Sequence, residues 1–148
     1  MRFVRSLFLA AMLLCPGAAL AQTDGDVIAQ LDTLFGTSDP FVEAFQAIQE
    51  AVEAGDSEVV AQWVAYPLRA VIDEEETEIA DEESFVENYD SIVTEDIAAT
   101  ITSQRFADLF VNADGVMFGS GEMWLTLVCD DEACAESGVR IIAIQGTE

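Results

Sequence analysis

The spacing of apolar residues changes near residue 105, and this change constrains the fold more than any other feature. Before that point, apart from one hairpin at 68–80, apolar residues recur at intervals of three and four, which is typical of amphipathic helices. After it, short apolar runs alternate with turn sequences such as Asn112-Ala113-Asp114-Gly115, which is typical of strands joined by hairpins. Helices followed by strands predict an α+β fold, with helices packed on one side of a curved, mainly antiparallel sheet.

Start and stop signals place the individual elements. A first helix is predicted before Gly36, and a second begins with Asp39 as N-cap and Pro40 as its first helical residue. Gly55 ends the second helix, and Pro67 prevents a third from continuing. The buried helical positions predicted up to this point are Val27, Leu31, Leu34, Phe41, Ala44, Phe45, Ile48, Ala51, Val52, Val59, Val60 and Trp63. A hairpin follows (68–72 and 77–80, joined by an acidic turn at 73–76), then helices capped by Asp81 and Thr94, then strands at 109–111, 116–118, 122–128 and 139–144.

The first 21 residues carry the parts of a cleavable secretion signal. Arg2 and Arg5 precede an apolar run at 7–14, and the small residues at 19–21 form a cleavage site ahead of Gln22. The run is far shorter than the roughly 20 residues of a membrane-spanning helix. Lipid attachment at Cys15 is an alternative, although a bulky leucine precedes that cysteine. We therefore predict a signal peptide at 1–21, a single acidic domain at 22–148, no membrane span, and a periplasmic or secreted location.

The charge of the mature chain excludes several classes of partner. The 148 residues include 29 acidic side chains and five cations, all arginines; losing Arg2 and Arg5 with the leader changes the formal charge from −24 to −26. Three arginines cannot replace the counterions of a nucleic acid, and an anionic membrane would repel the chain. Cationic ligands and basic proteins would be attracted. Alternatively, the acidity serves only solubility, for example in a salty habitat.

Cys129 and Cys134 are the cysteines that remain after cleavage. An even pair in an exported chain predicts a disulfide, which here closes the last hairpin. A redox pair is a weaker interpretation because the acids between the cysteines would raise the thiol pKa. Two sulfurs without any histidine also make a poor zinc site.

Several stretches carry a resemblance to a known superfamily: Tyr66-Pro67-Leu68, Phe85 with Tyr89-Asp90-x-Ile92, 109–112 with 115–117, Gly121-Glu122-x-Trp124, and the Cys129/Cys134 loop with 140–144. Together they resemble exported bacterial proteins of the nuclear transport factor 2-like (SnoaL-like) superfamily. The resemblance implies a cone-shaped, cystatin-like fold with a pocket between sheet and helices. It implies no agreed activity.

The chemistry available to the chain is limited, because it lacks histidine and lysine and so offers no base for a serine or cysteine nucleophile. It also lacks a glycine-rich phosphate loop and metal-ligand spacing, so we expect no cofactor and no metal. In the ketosteroid-isomerase branch of the superfamily, an acid and a tyrosine in the pocket catalyse proton transfer. The candidate pocket residues here are Glu122, Trp124, Tyr66, Arg69 and Tyr89, with Asp90 beside them. The alternatives are a core role for Tyr89 and an ion pair of Arg69 or Arg140 with an acid such as Glu122.

Three functions remain open. The first is non-enzymatic binding of a small apolar or cationic ligand or of a basic protein. The second is a cofactor-free isomerase or lyase that uses Glu122 as its base. The third is inhibition of a basic enzyme through the disulfide loop, where Asp130, Asp131 and Glu132 would enter a cationic cleft.

Overall fold

The structure is a computed structural model that describes residues 21–72, 75–129 and 131–146. Residues 1–20, with most of the predicted leader and Cys15, lie outside the described residues, as do positions 73 and 74 of the acidic turn and Asp130 of the disulfide loop. Among the helices that the structure describes, none is long and apolar enough to cross a membrane.

Side-chain caps and left-handed glycines set most of the helix boundaries. The helices are α1 (Asp24–Phe35), α2 (Asp39–Ala54), α3 (Ser57–Gln62), α4 (Glu82–Glu87), α5 (Tyr89–Ile92) and α6 (Glu95–Ser103), with a 3₁₀ turn at Phe106–Asp108. Thr23 and Asp26 form a capping box at the start of α1, and Asp56, Asp81 and Thr94 cap α3, α4 and α6. Each cap satisfies backbone N–H groups that have no partner within the helix.

The strands form one six-stranded sheet in the order β2-β1-β6-β5-β4-β3. Their bounds are β1 (Val64–Ile72), β2 (Glu75–Ile79), β3 (Phe110–Asn112), β4 (Gly115–Phe118), β5 (Met123–Cys129) and β6 (Ser137–Ile144). Neighbouring strands are antiparallel except β1 and β6, which are parallel. The predicted α+β class, with helices preceding a mainly antiparallel sheet, is confirmed.

The core lies between the helices and one face of the sheet. From α2 it receives the six predicted residues Phe41, Ala44, Phe45, Ile48, Ala51 and Val52, all buried. Phe45 stacks on Phe118 of β4, with ring centroids 5.3 Å apart. Met123 and Leu125 of β5 point to the same core, as the alternation along that strand predicted.

Several predicted boundaries are wrong by a few residues. Helix α2 is capped by Ser38 rather than Asp39, because the Ser38 carbonyl already accepts the N–H groups of Phe41 and Val42. Strand β1 begins at Val64, ahead of Pro67, because it pairs there with β6 before a shift in register. That pairing is between strands distant in sequence, so local pattern does not indicate it.

Both edges of the sheet are protected against further strand addition. The edge strand β2 carries Glu75, Glu76 and Glu78, whose charges oppose pairing with another strand. The other edge, β3, is covered by α1 and the residues before it: the side-chain amide of Gln30 donates to the carbonyl of Val111 at 2.9 Å, and that of Gln22 donates to Leu109 at 3.3 Å. Gln22 is the first residue of the predicted mature chain, and its side chain takes part in this cover.

Candidate functional site

Two of the candidate tyrosines lie on either side of one buried phenylalanine. Phe85 of α4 makes edge-on ring contacts with Tyr66 of β1 and Tyr89 of α5, at centroid distances of 6.5 and 5.9 Å. The Tyr66 hydroxyl donates to the carbonyl of Ala61 at 3.0 Å. Burial, and then the nearby carboxylates, raise the pKa of both tyrosines above the ordinary value, so both hydroxyls stay protonated at neutral pH.

Glu122 lies apart from these tyrosines, in the turn between β4 and β5. Its side chain is buried, and its Oε2 accepts a hydrogen bond of 2.6 Å from the backbone N–H of Ser120. A Cβ built on Gly119 would overlap this carboxylate and the methyl group of Thr100 in α6, so the carboxylate is packed against a turn that only glycine fits. The Glu122 carboxylate therefore holds the β4–β5 turn together.

Trp124 and Arg69 lie in one row of residues that crosses the whole sheet. Cross-strand pairs connect Phe110, Met117, Trp124, Ala143, Arg69 and Glu78, one from each strand. Paired residues share a face of the sheet, and every member of this row is exposed or half-buried. Most positions that flank the row are buried; the exceptions are Ile142, which lies where the β5–β6 register shifts, and Thr77. We call the side of the sheet that carries this row the open face; among the described residues, the helices pack on the opposite side.

The open face combines aromatic and cationic side chains. Phe110 is 50% exposed, and its ring meets that of Trp124 edge-on at 6.5 Å. Arg140 pairs with Thr126, two residues along β5 from Trp124, so it shares this face, and its guanidinium occupies the space that the absent side chain of Gly138 leaves. The open face thus holds two of the three arginines that the chain has among its described residues. The third arginine, Arg105, lies on the surface, where its Nε is 3.7 Å from Oδ2 of Asp108.

The disulfide loop is organised around Asp131. Cys129 and Cys134 are bonded, with Cα atoms 4.7 Å apart, as predicted. The Asp131 carboxylate accepts hydrogen bonds from the backbone N–H groups of Ala133, Ala135 and Glu136, at 2.7, 3.2 and 3.1 Å. These bonds lower the pKa of the Asp131 carboxyl below its ordinary value. Of the predicted partner-loop residues, Asp131 and Glu132 are both exposed, and the Asp131 carboxylate is bonded to the backbone of its own loop. Asp130 lies outside the described residues.

The surface carries concave sites on its helical side. One cavity of about 520 Å³ lies between α2, α5 and α6; its lining includes Tyr89, Asp90, Glu95, Val52 and Val93, and we call it the Tyr89 cavity. A second, of about 390 Å³, lies between α3 and α4 and is lined by Glu58, Ala61, Gln62, Glu82, Glu83, Val86 and Glu87; we call it the glutamate cleft. Arg69 lies in a smaller depression beside Glu76 and Glu78 of β2.

The structure therefore distributes the five candidate pocket residues over three places. Tyr66 of β1 and Tyr89 of α5 flank Phe85, Trp124 and Arg69 share the open face, and Glu122 closes a turn. Phe110 and Met117 were not singled out from the sequence, because Phe110 lies in a continuous apolar run and only strand pairing reveals which face it occupies. Within the described residues, no group of three or more histidines, cysteines and acids is placed to hold a metal ion.

Comparison of the chain with protein-family models, with curated proteins and with solved structures finds no match.

Proposed function

We propose that this chain is an exported, non-enzymatic binding domain that recognises a protein partner through the open face of its sheet. The observation that carries the proposal is the composition of that face. Phe110, Met117 and Trp124 form a continuous apolar half, and Arg69 and Arg140 supply cations beside it. Aromatic residues, methionine and arginine are the types enriched in protein interfaces, and tryptophan and arginine in their energetic centres.

The geometry of the acidic and tyrosine residues supports binding over catalysis. The Glu122 carboxylate is engaged with the Ser120 N–H, and the Tyr66 hydroxyl is engaged with the Ala61 carbonyl. A general base and its acid partner must both reach one substrate, and each of these two groups is instead bonded to the backbone of its own region, the β4–β5 turn and the end of α3. Because the Asp131 carboxylate is bonded to the backbone of the disulfide loop, the open face is also a better candidate for partner binding than that loop.

Membership of the nuclear transport factor 2-like superfamily remains part of this proposal. It is supported by the order of the elements, with helices ahead of four consecutive antiparallel strands and packed on one side of the sheet. The disulfide and the docking of Gln22 on Leu109 support export with cleavage after position 21. N-terminal sequencing of the protein from the periplasm or medium should begin at Gln22; an uncleaved cytoplasmic product would overturn the export part of the proposal.

The binding proposal is tested by crosslinking the tagged full-length chain in its native host and identifying its neighbours by quantitative mass spectrometry. Phe110→Ser removes the exposed aromatic ring of the open face. Leu34→Ser is the matched control, since Leu34 is 42% exposed but lies on α1. We expect the wild type and Leu34→Ser to crosslink the same protein and Phe110→Ser to lose most of that signal. Equal crosslinking by all three chains would overturn the proposal.

A further inference from the structure

We propose that the Tyr89 cavity binds a small organic ammonium ion, such as a trimethylated or alkylated amine. This site lies on the helical side of the sheet, away from the open face, so it goes beyond the proposed protein-binding function. Its walls come from three helices: α2 supplies Val52 and the helix end at Gly55, α5 supplies Tyr89, and α6, which packs on α2, supplies Glu95. The volume of about 520 Å³ is within the range of small-molecule sites.

The aromatic and apolar lining suits the alkyl groups of such an ion. Tyr89 is half-buried, and its ring is held edge-on against Phe85 at 5.9 Å, which fixes its position in the cavity wall. Val52 and Val93 supply further apolar surface. A cation over the face of a tyrosine ring is attracted by the negative face of the π system, and quaternary ammonium ions are commonly recognised in this way.

The two charged side chains that line the cavity are both acidic. Asp90 and Glu95 both line it. Helix α2, which has 16 residues, ends at this cavity with Gly55 as its C-cap, and its last turn contains no basic residue. The carbonyl end of a helix carries partial negative charge and favours a cation. The N-terminus of α6, which begins at Glu95, carries the opposite partial charge. The carboxylates of Asp90 and Glu95, rather than the helix ends, therefore supply the negative charge beside the tyrosine ring.

A soft organic cation fits this lining better than a metal ion does. Calcium or magnesium would need six or more oxygen ligands converging on one point. The Tyr89 cavity instead places its two acids beside valines and an aromatic ring. The glutamate cleft provides an internal contrast, because Glu58, Glu82, Glu83 and Glu87 line it without an aromatic residue.

The test is an NMR titration of the ¹⁵N-labelled protein with choline and, separately, with 3,3-dimethylbutan-1-ol, its uncharged carbon analogue. We expect choline to shift the backbone signals of Gly55, Tyr89 and Glu95, and the alcohol to leave them in place. Tyr89→Leu should weaken choline binding by about 2- to 30-fold, while Tyr89→Phe, which retains the ring, should bind as the wild type does.

Carboxylate variants provide the matched controls. Glu95 is exposed at the start of α6, and Glu95→Gln should weaken choline binding by about 2- to 5-fold. Glu82→Gln removes the same charge from the glutamate cleft and should leave the dissociation constant unchanged. Equal shifts by choline and the alcohol, equal effects of Glu95→Gln and Glu82→Gln, or no choline-dependent shift at millimolar concentration would each overturn the proposal. If Tyr89→Leu fails to fold, the comparison of choline binding by Glu95→Gln and Glu82→Gln still tests the proposal.

Discussion

The Glu122 carboxylate accepts a 2.6 Å hydrogen bond from the backbone N–H of Ser120, two residues before it in the β4–β5 turn. The backbone of Glu122 is also tied, because its carbonyl accepts the N–H of Gln145 after β6. The residue therefore links the turn to the end of the neighbouring strand. This geometry explains how an acidic side chain is buried at a position that was predicted to line a pocket.

We predict that Glu122→Gln lowers the free energy of unfolding by about 1–3 kcal/mol, because a buried, charge-assisted hydrogen bond is replaced by a weaker one. Urea unfolding followed by circular dichroism measures the change. Glu83→Gln, on the exposed first turn of α4, is the control and should have little effect. A Glu122→Gln protein as stable as the control would show that the carboxylate is not structural and would reopen a catalytic role.

Gly119 and Gly36 allow a paired test of the same turn. Both have positive φ, +58° and +78°, so alanine is strained at either position. An added Cβ at Gly36 has no atom within 4 Å, whereas at Gly119 it would overlap the Glu122 carboxylate and Thr100. We therefore expect Gly36→Ala to cost about 1 kcal/mol and Gly119→Ala clearly more, as measured by urea unfolding. Equal costs would contradict the close packing of the turn.

The hydrogen bonds of Asp131 lead to a prediction about how the stability of the protein depends on pH. Backbone hydrogen bonds lower the pKa of the Asp131 carboxyl in the folded state. The carboxylate therefore stabilises the fold fully above the pKa that it has in the unfolded chain, about 3.9. This stabilisation is lost as the pH falls through the lower pKa of the folded state. Asp131→Asn should therefore melt below the wild type at about pH 6, and the difference should close towards pH 2. Glu132→Gln is the control from the same loop. A wild-type advantage that persists unchanged at pH 2 would contradict this assignment.

Local signals predicted most of the elements because their causes are local. The caps at Asp81 and Thr94 and the stop at Gly55 each act within one helical turn. The parallel pairing of β1 with β6 depends on strands about seventy residues apart, and no local pattern specifies it. Leu34 was predicted to be buried but is exposed, because α1 packs at the sheet edge through Val27 and Leu31.

The candidate sites were harder to predict than the fold, because a site depends on which distant residues meet. Trp124 and Arg69 were both singled out from the sequence, but their place in one row became visible only through the strand register. Tyr89 was expected either in the core or in a pocket between sheet and helices. It contacts the core through Phe85 and also lines a cavity between helices, an arrangement that the spacing of α5 alone does not indicate.

The acidity of the chain predicts a salt-dependent stability. With 29 acids and few cations, the folded protein repels itself, and raising NaCl from about 0.01 M to about 1 M shortens the screening length from about 30 Å to about 3 Å. We expect the melting temperature to rise over this range. A variant with the four glutamates of the glutamate cleft changed to glutamine should melt higher at low salt and respond less to salt. Equal salt responses of the two proteins would show that self-repulsion does not limit stability.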